Sequence, residues 1–382
     1  SVSNVTIKKT QIQGFDGISL DYTSGGMICE NIIEANSGHG IRADHSSNTT
    51  IVGNSITTND HNGINLRWSC YSTISGNNIT NNYDGVYLDE SNSSTIIGNI
   101  IAVNKNYGIR IHLSSDNTIR ENVIETNRFY GIYLHNSSDN IIAKNSIKNN
   151  SGVGVLVWGS SNNVIYHNNF VDNSQQVYIQ MPGYANFLDN GYPSGGNYWS
   201  DYTGADSNFD GIGDTQYVID SNNIDNYPLM GMFHSFNTSR GYHVNVISNS
   251  TIEDFEYFES NSTIRMHVSN MTANQTYGFC RVCIPKDLMC PPYTVVIDDG
   301  VTAVLHFNET AYANGTHIWI YFAYEHSTHE VDIIASYGNY DSLFMIATLI
   351  IIALAVTVYR VFRAQRHLRK KHTPFSTNLN VF

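Results

Sequence analysis

The sequence predicts an all-β protein: a right-handed parallel β-helix, followed by a β-sandwich domain and one C-terminal transmembrane helix. Three observations carry this. A Gly–apolar–x–apolar phrase returns every 22 or 23 residues, short alternating strands follow it, and an uncharged apolar run precedes a basic tail.

The repeat defines residues 1–232. Its glycines are Gly17, Gly40, Gly63, Gly85, Gly108, Gly131 and Gly154, with Gln176 in the eighth place. Asn31, Asn54, Asn77, Asn99, Asn122, Asn145 and Asn168 keep the same step, and so does a second Asn column five residues later, from Asn36 to Asn173. Periods of about 20–50 residues mean stacked units that bury an apolar face only against one another. Helical arrays are excluded because the apolar residues alternate with period two. Leucine-rich repeats are excluded because Ile and Val hold the columns. Positions +1 and +3 after each glycine are apolar (Ile64/Leu66, Val86/Leu88, Ile109/Ile111), and the columns of Ile28 and Ile33 supply two further walls. Three strands per coil, bending at Gly or Asn, then stack about 4.8 Å apart. The Asn columns become hydrogen-bonded ladders. The chain opens at Ser1 inside a repeat, so further coils or a signal peptide are expected before it.

The stretch "GIYLHNSSDNIIAKNSIKNN" resembles the right-handed β-helix repeats of NosD-like proteins, of the carbohydrate-binding and sugar-hydrolase β-helix type. The later stretch "GGNYWSDYTGADSNFDGIGDTQYVID" is similar to the closing segment of archaeal NosD-like surface proteins. The resemblance covers residues 1 to about 230. Residues 233–336 resemble the β-sandwich domains that precede a membrane anchor in such proteins. It implies a cell-surface protein with a carbohydrate partner.

Candidate site residues come from the strand after each glycine, where positions +2 and +4 point outward. They give Arg42, Asp44, Arg67, Tyr87, Asp89, Arg110, His112, Tyr133, His135 and Trp158 as carbohydrate-binding candidates. Aromatic faces stack on sugar rings, and Asp and Arg bind hydroxyls in pairs. The competing reading is a surface sheet of cross-coil ion pairs and stacked rings, which makes a purely structural envelope protein. An enzyme is the other alternative, an anchored polysaccharide lyase or glycoside hydrolase. A hydrolase needs two carboxylates about 5–10 Å apart. Asp21 and Asp44 lie one coil apart, and Asp44 and Asp89 two coils apart with Arg67 between. His112 and His135, on adjacent coils, could hold a transition metal with Tyr133 or Asp89.

"DSNFDGIGD" spaces Asp206, Asn208, Asp210, the Ile212 carbonyl and Asp214 around Gly211. Oxygen ligands at alternate positions around a Gly turn are how short loops wrap Ca2+, so a structural calcium ion that caps the rod is expected here.

From His243 onward, alternating strands recur about every ten residues, which suggests a sandwich over 233–336. That domain reads as a spacer without catalytic residues. Of the five Cys, Cys280, Cys283 and Cys290 suggest one disulfide. Residues 342–360 are apolar enough to span a bilayer, and 361–382 form a basic cytoplasmic tail, so residues 1–340 are expected outside the cell. All 33 acids precede Arg360, against 14 of the 20 Lys and Arg. That balance excludes nucleic acid and disfavours other polyanions. Seven Asn-x-Ser/Thr sequons, from Asn237 to Asn314, read as glycosylated surface.

Overall fold

The computed structural model describes residues 2–181, 184–325 and 327–335. Strands of mostly three or four residues stack in parallel into three sheets of eight, eight and nine strands. The glycine phrases make one sheet: Ile18–Asp21, Ile41–Asp44, Ile64–Arg67, Val86–Asp89, Ile109–His112, Ile132–His135, Val153–Trp158 and Gln175–Ile179. Each strand pairs one coil away without slippage, so Asn65 has Arg42 on one side and Tyr87 on the other. Alternation sends every second residue inward, and the Ile, Leu and Val files of the three sheets merge into one buried column. Each such side chain contributes about 2 kcal/mol by leaving water.

The repeat glycine does not make the bend. A Cβ on Gly85 would stand 2.5 Å from the Gly108 carbonyl oxygen and 2.5 Å from Ile101 Cγ2. The glycine is there because the next coil and the sheet wall leave no room. The bends fall to residues in the left-handed region, of many types. Tyr22, His45, Trp68, Glu90, Leu113 and Asn136 fill one corner file with φ from 47° to 50°. A second corner file mixes Gly53, Gly76 and Gly98 with Glu30, Glu121 and Lys144. The expectation of bends at Gly or Asn is therefore corrected. Left-handed non-glycine residues cost about 1–2 kcal/mol each, and coil-to-coil hydrogen bonding offsets that cost.

Much of that bonding runs through buried Asn. Asn77 Nδ2 donates to the Ile51 carbonyl at 2.9 Å and to Asn99 Oδ1 at 2.9 Å, and Asn77 Oδ1 accepts from Asn54 N at 2.9 Å. The pattern repeats up the file and passes from Asn168 to Asn197. The column from Asn36 to Asn173 forms a second ladder. Two more were not foreseen. Ser46, Ser69, Ser91, Ser114, Ser137 and Ser160 each take the backbone N–H of the preceding coil, and Asn117, Asn140, Asn163 and Asn186 do the same at another corner.

The rod ends on a polar and aromatic cap. Trp199 stacks on Phe170 at 4.6 Å on one side and on Tyr217 at 4.3 Å on the other. Its indole N–H donates to Asp225 Oδ2, which also accepts from Asn197 N. Burial pushes the Asp225 carboxyl up to about 7 despite these donors.

Beyond the cap the chain turns antiparallel. Met232–Asn237, His243–Ser248, Tyr277–Pro285, His317–Glu325 and Val304–Ala313 form a five-stranded sheet. Ser250–Phe258, Thr263–Asn270, His329–Ala335 and Tyr293–Ile297 form a four-stranded one. Both sheets bury residues in a single cluster that includes Val246, Val282, Phe322, Ile264, Met266 and Ile333. Arg281, only 1% exposed, leaves this part to enter the cap, where it donates to the carbonyls of Asp210 at 2.6 Å and Pro193 at 2.7 Å.

All five cysteines are free, which corrects the disulfide expectation. Cys280 and Cys283 share one strand three residues apart. Odd spacing on a strand sends them to opposite faces. Among the described residues no helix is long and apolar enough to cross a membrane. The expected span at 342–360 and the tail at 361–382 lie outside the described residues.

Candidate functional site

The outward rows of the glycine sheet form a ribbon along the rod, and its two halves differ. In the first half arginines meet carboxylates. Arg42 hydrogen-bonds Asp44 and stands 3.9 Å from both Asp21 and Asp16. Arg67 Nε lies 3.5 Å from Asp89, and its guanidinium lies 3.8 Å above the Trp68 ring. The pairs Asp21/Asp44 and Asp44/Asp89 fall one and two coils apart as the spacing implied. Arg42 bridges the first pair, and Arg67 takes part of Asp89. Neither pair is an open place for a sugar ring between two free carboxylates.

The second half is aromatic. Arg110 lies 4.7 Å from the centre of the Tyr87 ring. Its Nε is buried without a hydrogen-bond partner. His112 Nδ1 donates to Asp89 Oδ1 at 2.8 Å, and its ring lies 4.9 Å from that of His135. Trp158 follows at 5.3 Å from His135. Burial and the neighbouring His112 lower the His135 imidazole below its usual range. Burial likewise raises the phenols of Tyr87, Tyr107 and Tyr133, keeping them as neutral donors.

Two outward placements need correction. Tyr133 is only 7% exposed and Leu156 only 4%. Tyr133 packs 5.3 Å from Tyr107 and 5.9 Å from Tyr130, rings standing just before Gly108 and Gly131. Those two, stacked on each other at 5.2 Å, are the site residues that the +2 and +4 rows missed. Their signal was present: the residue before each glycine runs Asp16, His39, Asn62, Asp84, Tyr107, Tyr130, Val153, acid giving way to aromatic. A third file, Tyr22, His45 and Trp68, stacks at 4.6 Å steps on the corner beside the first half.

No group of three or more His, Cys, Asp or Glu among the described residues is arranged to hold a metal, His112 and His135 included. In the acidic loop, Asp206 accepts from the N–H groups of Asp210 and Gly211, Asp210 from Ile212, and Asp214 from Ser207. Arg281 Nη1 also lies 3.8 Å from Asp210. Asn208, Asp210, Ile212 and Asp214 line one concavity of about 200 Å³, which does not include Asp206. The carboxylates accept from the loop's own backbone.

This geometry defines the class: the chain carries a right-handed β-helix region, and residues 1–71 and 16–171 match the family model of that description. Solved structures similar to it include the periplasmic alginate epimerase AlgG, 21% identical over 47% of this chain and 48% of that one, with a TM-score of 0.43. The A-module of the Azotobacter vinelandii mannuronan C-5 epimerase AlgE4 is 17% identical over 52% of this chain and 65% of its own, at 0.41. PfbA, a surface adhesin of Streptococcus pneumoniae, is 15% identical over 47% and 63%, at 0.36. The chain thus spans about half of the first and under two thirds of the other two. These likenesses are of the coiled scaffold alone. No curated protein matches the sequence.

Proposed function

We propose that this is a cell-surface protein whose β-helix binds polysaccharide on the second half of the ribbon. The apolar segment 342–360 would hold it in the membrane, residues 1–340 would be extracellular, and the antiparallel sheets, with glycosylated sequons, would act as a spacer. The observation that carries the reading is the concentration of partly exposed rings (Tyr87, Tyr107, Tyr130, Trp158) and polar heads (Arg110, His112, His135) on one continuous face. Rings supply stacking surface for sugars, and the heads supply donors for hydroxyls. In the first half the charged groups are already spent on one another.

The test is a glycan array with the full chain. Replacing Tyr87, Tyr130 and Trp158 together by Ala should weaken binding at least about tenfold, since each aromatic contact is worth about 0.5–1.5 kcal/mol. Replacing Tyr22, Arg42 and Arg67 should change it by less than about threefold. Equal losses would remove the assignment to the second half.

One observation favours a second reading, that of a lyase. Asp89 orients His112 through Nδ1 at 2.8 Å, with Tyr87 and Arg110 alongside. A carboxylate-oriented His is a general base in waiting. Release of unsaturated product from a bound polymer would establish it, and its absence across all polymers that bind would dismiss it.

A further inference from the structure

Resting on the glycan reading, we infer that the second half of the ribbon takes an acidic polysaccharide, whose carboxylate or sulfate groups seat on Arg110, Lys105 and Arg128. The three ribbon arginines are not alike. Arg42 has three carboxylates within reach and Arg67 has Asp89. Arg110 has no carboxylate within 4 Å among the described residues, and its Nε is buried and unpartnered. That nitrogen has lost water and gained no acceptor, and the half-buried guanidinium keeps an exposed part on which an incoming anion can form charge-assisted hydrogen bonds.

Two further cations stand in the coils that carry Arg110 and Tyr133. Lys105 and Arg128 each stand three residues before a repeat glycine, on adjacent coils, their backbone N–H groups donating to Asn82 and Asn104 of the preceding coils. Both are exposed, and neither has a carboxylate within 4 Å among the described residues. From Gly108 to Gly154 the files at −1, +2 and +4 read Tyr107, Arg110, His112; Tyr130, Tyr133, His135; Val153, Leu156, Trp158, without an acid. The nearest acids are committed. Asp84 is buried and accepts from Asn106 Nδ2 and Tyr107 N, and Asp89 is shared by Arg67 and His112. The overall charge of −13 argues against polyanions, but among the described residues Arg110, Lys105 and Arg128 form no ion pair, and Asp84, the acid that feels Arg110, is buried. Salt screens distant charge over about 8–10 Å, so the local arrangement decides.

The repeat of the scaffold suits a polymer. Rings recur on successive coils, and Lys105 and Arg128 stand one coil apart, so a chain lying along the rod can make several contacts at once, which multiplies affinity. A charge-assisted hydrogen bond is worth about 1.5–3 kcal/mol, or roughly tenfold to a hundredfold in affinity.

The experiment measures binding of the full chain, in detergent, to polygalacturonate, to the same polymer after carboxyl reduction, to a sulfated galactan and to dextran. The expected result is at least tenfold tighter binding of an acidic polymer than of the carboxyl-reduced one. That ratio should fall in Arg110→Gln and again when Lys105→Gln and Arg128→Gln are added. Melting temperatures matching the parent would show the variants folded. Whether polygalacturonate or the sulfated galactan shows the preference identifies the anion. Equal binding of acidic and reduced polymer overturns this inference and leaves the glycan reading standing. A preference unchanged in the triple variant also overturns it. Binding to none of the four overturns both.

Discussion

The two halves of the ribbon are built on the same backbone and do different things with it. In coils one to three, outward Asp and Arg neutralise one another across neighbouring strands, joined by Asp89 of the fourth. From Tyr87 of the fourth coil to the seventh, the same positions hold rings, histidines and an arginine with no carboxylate within 4 Å among the described residues. The ladders beneath run through both without change. The difference teaches that a stacked scaffold separates stability from surface chemistry: the inward files fix the coil, and the outward files vary freely.

If that separation holds, damage to a ladder should cost the same in either half. Asn77→Ala and Asn122→Ala each strip two carbonyls, a side-chain oxygen and two N–H groups of their partners. With orphaned buried groups at about 1–3 kcal/mol apiece, each variant should lose about 5 kcal/mol in urea denaturation. A gap above about 2 kcal/mol between the two would break the claim of one uniform scaffold.

The cap sharpens the comparison through pH, because it ends the second half on buried titrating groups. The Asp225 carboxyl is raised to about 7, above its unfolded value, so its contribution is full below about pH 4 and is lost as pH rises toward 7. Burial depresses His167 to about 4, so its contribution is full above about pH 6.5 and is lost as pH falls toward 4. The two limbs oppose each other in the parent. Relative to the parent, Asp225→Asn should add a rise of about 3 kcal/mol between pH 4 and 6.5, and His167→Phe should remove a rise of about 3 kcal/mol over the same range, His234, also depressed to about 4 by burial, keeping its own. Identical pH profiles for parent and variants would contradict the burial argument.

The first half should yield the smallest changes. Arg67→Ala removes a half-exposed ion pair worth about 0.5–1 kcal/mol, and the loss should vanish in 1 M salt. A loss that persists there would come from its stacking on Trp68 instead. Smallest of all is the acidic loop. Its carboxylates are held by backbone N–H groups, so a chelator should leave the melting temperature unchanged, whereas a clear fall would show a calcium ion bound there.

The scaffold was legible because stacking turns period into contact: any column repeating at 22 or 23 residues had to become a file in space. The Gly and Asn columns announced themselves in this way. Depth was not legible. Alternation gives the face a residue points to, but Tyr133 is covered because Tyr107 and Tyr130 lean over it, and that depends on neighbours one file away. The Ser ladder escaped notice because Ser is common at turns for other reasons. The glycine's role was misassigned because the eye reads Gly as a bend, while here it marks a wall with no space for a Cβ. The Asp-x-Asn-x-Asp spacing is shared by cation loops and by turns that satisfy their own amides, and spacing alone does not tell them apart.

The crowding at Gly85 fixes more than one contact. With a carbonyl oxygen 2.5 Å from where a Cβ would lie, adjacent turns can neither slide nor rotate past one another by part of a period. Length is therefore quantised. Excising Ile109–Gly131 brings Gly108 directly before Ile132 and restores every vertical alignment, whereas excising half as many residues would set glycine against isoleucine in all files at once. A molecule made this way can be shortened or extended by genetic duplication in whole steps, with its display surface growing in proportion.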